Sequence, residues 1–169
     1  MRIFAIYSVL NDKIIGHNND LIVKDRNDLK HFKSETFGKT LIMGRKTIES
    51  LPKKLDDRTI IMLSTNPDYI NSTCVKMNTN FIVRSPHEAI KLAYSLGIQN
   101  LYIAGGSSVY NIFSNLIDEI IETKFYQDNF DYTQKNLVYL PESIIELKNK
   151  FSLVKSKDLK SCTVNYFIK

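Results

Sequence analysis

Five short apolar runs constrain this chain more than any other feature: "IFAIYSV" (3–9), "TLIMG" (40–44), "TIIML" (59–63), "FIV" (81–83) and "LYIA" (101–104). They have strand length and are continuous rather than alternating, the pattern of strands covered on both faces. Helical patterns lie between them. "SPHEAIKLAYSLG" opens with Ser85 as N-cap, Pro86 at the first helical position and Glu88 completing a capping box, and Gly97 stops it. Its apolar stripe is Ala89, Ile90, Ala93 and Leu96. In "SVYNIFSNL" the stripe is Val109, Ile112, Phe113 and Leu116, and "KDRNDLKHFKSE" (24–35) forms a third helix. Strands alternating with helices require crossovers and hence a mostly parallel sheet. Farther on, "IIETKFY", "FSLVKSK" and "CTVNYFIK" read as strands with little helix between them, which predicts antiparallel additions at one edge. Residues 127–136, "QDNFDYTQKN", read as a polar loop.

The 169 residues suit one α/β domain spanning 1–169, and 43% apolar with 24% charged residues marks a globular chain. No apolar run approaches the ~20 residues of a membrane span. "MRIFAIYSVLND" lacks an A-x-A-like cleavage site and turns polar at Asn11, so it reads as a buried first strand rather than a secretory leader. Cys74 and Cys162 form no C-x-x-C pair, and His17, His31 and His87 have no metal-ligand spacing. A cytoplasmic location is expected, in a host's cytoplasm should the chain be viral. The net charge of +5 is scattered, without the aromatic-basic alternation of an RNA-binding strand. Such a charge also suits a small polyanionic ligand, and charge alone does not choose; the partners expected overall are small molecules, with no nucleic acid.

In parallel sheets, ligands bind beyond the C-terminal ends of the strands. Gly105 and Gly106 lie at such an end, directly before a helix, and let the backbone approach a ligand closely. Ser107, Ser108 and the following amides then face a helix N-terminus that favours anions. The same stretch also reads as a plain strand-to-helix turn, and it is no G-x-G-x-x-G fingerprint. "TLIMGRKTIESL" repeats the design with Gly44, Arg45, Lys46 and Thr47, and "IIMLST" brings Ser64 and Thr65 to the same rim. In "KDRNDLKHFK", Asp28 and Phe32 are four apart on one helical face beside Leu29. A carboxylate so placed is desolvated and suited to proton or hydrogen-bond work; equally, an acid in a first helical turn is favoured by the dipole alone.

Taken in order, "IIGHNNDL", the Asp28–Phe32 helix, "IMGRKT", "LDDR" before "TIIMLS", and "IAGGSSVY" resemble the dihydrofolate reductase family. The resemblance implies an eight-stranded sheet with flanking helices, NADPH as cofactor, and reduction of 7,8-dihydrofolate to tetrahydrofolate. It implies that Asp28 bonds the pterin's N3 and 2-amino group, with Thr123 beside it. Phe32, Leu29, Leu51 and Leu55 would pack on the pterin and benzoyl rings, and Arg58 would grip the α-carboxylate of the glutamate tail. Ile6, Tyr7, Ala104 and Tyr110 would line the pterin end. For the cofactor, it implies Ile15, Gly16 and Asn19 at the nicotinamide, Thr47 as a positioning group, and Ser8 as a further binding residue. Gly105, Gly106, Ser107, Ser108 and Val109 would line the pyrophosphate beside Gly44 and Lys46. Arg45, Ser64 and Thr65 would meet the adenosine 2′-phosphate with Arg84 nearby, and Leu63 would also bind the cofactor. Antifolates would be further small-molecule partners of a monomer.

The chain departs from the family pattern at Ile22-Val23, where a Pro-Trp pair is usual, at Ile48, at Tyr7 in place of a small residue, and in "LDDR" for "LPGR". Slow turnover is the expected consequence. Two other readings keep the fold: a reductase of the ribosylamino-pyrimidine intermediate of riboflavin synthesis, and a non-catalytic nucleotide-binding or structural descendant.

Overall fold

The computed structural model describes residues 1–66 and 79–169, and Cys74 with its pairing lies outside them. The described strands are β1 (Arg2–Leu10), β2 (Ile14–His17), β3 (Asp20–Leu21), β4 (Thr40–Gly44), β5 (Thr59–Leu63), β6 (Phe81–Val83), β7 (Asn100–Ile103), β8 (Glu119–Phe125), β9 (Leu137–Tyr139), β10 (Ser152–Asp158) and β11 (Thr163–Ile168). The helices are α1 (Arg26–Thr36), α2 (Arg45–Glu49), α3 (Pro86–Ser95), α4 (Ser107–Phe113) and α5 (Glu142–Lys150). The main path of the sheet runs β10-β11-β8-β1-β7-β4-β5-β6, with β2, β3 and β9 as a small extension beside β1.

The continuous runs are buried on both sides. On the α1 face, Phe4 and Ile6 of β1 pack with Leu41, Met43, Ile60 and Met62, and Phe4 stacks on Tyr102 at 4.7 Å between ring centroids. On the other face, which α3, α4 and α5 cover, Ala5, Tyr7 and Val9 join Ile42, Ile61, Leu101 and Ile103. Two helices start on a capping side chain. Asp25 caps α1 by accepting from the amides of Asn27 and Asp28, and Ser85 caps α3 by accepting from the amide of Glu88.

Four expectations are revised. "IIETKFY" is not an antiparallel addition, because β8 pairs parallel with β1 from Phe4↔Glu119 to Leu10↔Phe125; antiparallel pairing begins with β11 and β10. A helix, α5, lies in the stretch expected to hold little helix, with Ile144 buried. Its N-cap position is Pro141, which offers no side-chain cap, so no start signal marked it. On α4 the buried face is Val109, Tyr110 and Phe113, while Ile112 and Leu116 are 47% and 43% exposed. The helix ends at Phe113, and a 3-10 turn at Ser114–Leu116 carries Leu116 off that face. Leu96 is likewise exposed, since it follows the last turn of α3 as its C-cap. Residues 127–136 hold no strand or helix, in line with a loop.

Candidate active site

The α1 face carries the acid. Asp28 is 6% exposed, and burial pushes its carboxyl above its ordinary value, with Asp25 adding to the rise. A hydrogen bond with the Thr123 hydroxyl pulls the other way. Phe32, Leu51 and Leu55 are half-buried and pack on the cluster that contains Ile6 and Ala104. Leu29 points outward at the rim, 47% exposed. At the far end of α1, Arg58 Nε donates to Thr36 Oγ1 at 3.1 Å, Nη1 to the Asp56 carbonyl at 2.6 Å and Nη2 to the Lys33 carbonyl at 3.4 Å. Thr36 Oγ1 in turn donates to the Phe32 carbonyl at 2.7 Å. The guanidinium is thus keyed to the backbone of α1, with no carboxylate at ion-pair distance among the described residues.

The two glycine corners abut each other. The Gly44 N–H donates to the Gly105 carbonyl at 2.7 Å, joining the end of β4 to the end of β7. Each corner would be crowded by a side chain. A Cβ on Gly44 would stand 3.0 Å from Val109 Cγ2, and one on Gly106 would stand 3.3 Å from Thr47 Oγ1. Gly105, at φ +100°, faces the Tyr110 hydroxyl, and the Gly105–Gly106 peptide is cis. Gly106 is the N-cap of α4 and Gly44 that of α2, so the first amides of two short helices open on one shared notch.

Along the ends of β7, β4, β5 and β6 the polar groups fall into two sets. Ser108, Lys46, Thr65 and Arg84 are exposed. Others already have partners: Ser107 Oγ donates to the Tyr139 carbonyl at 2.7 Å, Ser64 Oγ to the Asn66 carbonyl at 3.3 Å, and Arg45 Nη1 to both oxygens of Glu49 at 2.8 and 2.9 Å. The Arg84 amide donates to Glu88 in the α3 capping box. Leu63 is half-buried at the end of β5. Toward the other end, Ser8 lies opposite Thr123 in the β1–β8 register. Ile15 packs in the cluster that holds Val109 and Tyr110, and a Cβ on the buried Gly16 would meet the Asp20 carbonyl at 2.9 Å. Asn19 is exposed at φ +61°. Ile22 and Val23 pack on a separate small cluster of Leu10, Ile14, Phe125 and Cys162.

Tyr7 does not line the α1 face. Its ring is buried on the other side of the sheet, edge-on to Tyr110 at 5.8 Å, and its hydroxyl donates to Glu122 Oε1 at 3.3 Å. Strand alternation explains this, since Ile6 and Tyr7 must point to opposite faces. Tyr110 reaches the site from that same side, its hydroxyl donating to the Ile6 carbonyl at 2.8 Å. Sequence reading also passed over Glu122 and Lys148, whose carboxylate and ammonium meet at 2.8 Å. The one available signal was a lone acid inside the apolar run of β8.

Comparison with known proteins fits this geometry. The sequence model of the family described as dihydrofolate reductase matches residues 2–162. A dihydrofolate reductase of Mycoplasma genitalium is 36% identical over 135 residues, which cover 76% of this chain and 81% of that protein. One of Enterococcus faecium is 31% identical over 148 residues, covering 82% and 84%. Among solved structures, the dihydrofolate reductase of Enterococcus faecalis, complexed with NADP(H) and RAB-propyl, superposes with a TM-score of 0.74 at 26% identity, covering 99% of this chain and 95% of that one.

Proposed function

This chain belongs to the dihydrofolate reductase family, and from that premise we propose how its residues carry out the NADPH-dependent reduction of 7,8-dihydrofolate to tetrahydrofolate. The observation that carries the assignment of roles is the buried Asp28 carboxylate bonded to Thr123, on the face where Phe32, Leu51 and Leu55 form a wall and Arg58 closes the far end.

Asp28 accepts from the pterin's N3 and 2-amino group. In its desolvated setting the carboxylate favours a protonated ring, so N5 takes its proton more readily, with water as the donor. Thr123 fixes the carboxylate's orientation. Phe32, Leu51 and Leu55 pack on the pterin and benzoyl rings and exclude water, with Ile6 and Ala104 as the floor. Arg58, its Nε and both Nη held by α1 and its own loop, presents its charge to the α-carboxylate of the glutamate tail. NADPH, when bound, supplies a hydride to pterin C6.

The residues present fit that cofactor. The glycine notch between β4 and β7 is a cradle that a single Cβ on either side would crowd, and its amides suit a pyrophosphate. Thr47, Ser108 and Val109 border it. Lys46, Thr65, Arg84 and the Glu49-paired Arg45 supply hydrogen-bond donors at the rim for a 2′-phosphate. Ile15, Gly16 and Asn19 border the nicotinamide. The protein's part is orientation and electrostatics, with no nucleophile required.

Absorbance at 340 nm with NADPH and dihydrofolate tests the reading. Oxidation that needs both reactants and stops with a diaminopyrimidine antifolate is expected. Cofactor binding without turnover points to a non-catalytic descendant, and turnover only of the ribosylamino-pyrimidine points to the riboflavin-pathway enzyme; either result overturns the proposal.

A further inference from the structure

Behind β1 and β8, on the face away from Asp28, lies a charge cluster, buried at Glu122 and open to solvent at Asp12, that the chemistry above does not use. Glu122 sits opposite Tyr7 in the β1–β8 register, its side chain 1% exposed. A carboxylate so far from water is costly unless paired. Two donors meet its Oε1: Lys148 Nζ of α5 at 2.8 Å and the Tyr7 hydroxyl at 3.3 Å. Lys148 Nζ also lies 3.7 Å from Asp12 Oδ1, which Lys124 Nζ approaches to 2.7 Å. Asp12 belongs to the turn between β1 and β2, where it adopts φ +62°. The same turn is bonded to the segment that leads into α5, because the Leu140 N–H donates to the Lys13 carbonyl at 2.7 Å. The turn is therefore tied twice, by backbone to the lead-in of α5 and by a lysine to the helix itself.

What the turn carries decides the consequence. It leads straight into β2, whose Ile15 packs in one cluster with Tyr7, Val109 and Tyr110. Tyr7 is edge-on to Tyr110, and Tyr110 bonds the Ile6 carbonyl and abuts Gly105. An apolar pair would fill the same space with equal or better stability; what a hydrogen-bonded charge pair adds is a fixed geometry. We propose that Lys148 is a positioning residue for the cofactor: bridging Asp12 and Glu122, it fixes the β1–β2 turn, and with it Ile15 and Gly16, against the β1–β8 pair. The inference rests on the cofactor-side reading given above. Lys148 touches neither reactant in this scheme.

Two variants test it. E122Q/K148M removes one charge of each sign, so the net charge of +5 and the long-range field on the phosphates persist. Asp12→Asn keeps the turn, because Asn tolerates positive φ, while removing both ion pairs. It also adds one unit of net positive charge, which alone would tighten binding of an anion. Both variants should exchange amide hydrogens at residues 11–16 faster than wild type in the absence of ligand. NADPH affinity, read by fluorescence titration, should weaken about tenfold in E122Q/K148M and less in Asp12→Asn, with the KM for dihydrofolate unchanged. Lys148→Arg should rescue, staying within about twofold of wild type.

Cofactor affinity within about twofold of wild type in the folded variants overturns the proposal. So does an equal loss toward both reactants with unchanged exchange, which marks a purely structural pair. If E122Q/K148M does not fold, Asp12→Asn decides alone. A wild type that binds NADPH without reducing dihydrofolate defeats the catalytic reading but leaves exchange and affinity diagnostic here; one that binds no NADPH defeats both.

Discussion

Gly44→Ala is the sharpest probe of the notch between β4 and β7. Gly44 has φ −78° and ψ 158°, extended backbone open to any residue, so the cost lies in contact and not in conformation. The new methyl would stand 3.0 Å from Val109 Cγ2, against an optimum of about 3.5–4.0 Å for two carbons. Val109 is buried, and a β-branched residue in a helix has essentially one rotamer, so its methyl cannot swing aside. The Gly44–Gly105 hydrogen bond at 2.7 Å resists separation of the two corners. Relief therefore requires α2 and α4 to part by about half an ångström. Overpacking of this kind costs about 1–3 kcal/mol, or a fall in Tm of about 2–10 °C for a chain of this size. In the proposed cofactor site, amides displaced that far from the phosphates should weaken NADPH binding about tenfold, the loss of roughly one charge-assisted hydrogen bond. Thermal melting without ligand and fluorescence titration with NADPH measure the two effects. The double variant G44A/V109A removes the clash and should recover the affinity. Unchanged NADPH binding in Gly44→Ala, or a double variant as weak as the single, refutes the reasoning.

Asp28→Asn should lower kcat about a hundredfold while making the ligand-free protein more heat-stable at pH 7. Burial raises the Asp28 carboxyl, so its contribution to stability is complete below the ordinary value of 3.8 and is lost as pH rises through the folded-state value. The gain in Tm should therefore vanish in melts below pH 3.8, and near wild-type turnover at neutral pH would remove Asp28 from the mechanism. Arg58→Leu should raise the KM for dihydrofolate about thirtyfold with little change in kcat, and Arg58→Lys should recover only part, since the planar fork is gone; steady-state kinetics decide. Val23→Trp should raise kcat by shielding the reacting ring from water, and a flat response in the same assay would show that residue 23 does not limit turnover.

Much of this molecule could be read from its sequence because the informative signals are local. Continuous apolar runs marked strands buried on both faces, Ser85 and Glu88 marked the start of α3, and the paired glycine corners marked the notch. The misses arose where the deciding partner is distant. The direction of β8 depends on pairing with β1, more than a hundred positions away, and no local pattern encodes it. Helix α5 lacks a capping side chain, and its Ile144–Ile145 pair resembles a strand. Glu122 looked like an isolated polar residue because its lysine lies 26 positions farther on. Tyr7 is different: alternation along β1 already placed its ring opposite to Ile6.

One consequence of the α1 contacts bears on which compounds this protein distinguishes. From Asp28 to Thr36, where Arg58 is moored, the helix rises about 12 Å. On the roles proposed for Asp28 and Arg58, that helix works as a ruler, setting the separation between the group that reads a ring's hydrogen-bonding edge and the one that reads a distal anion. A molecule shorter than the ruler engages only its first mark. Changes at Arg58 would leave such a compound's potency intact while crippling longer ones, so sensitivity to that residue reports a ligand's reach.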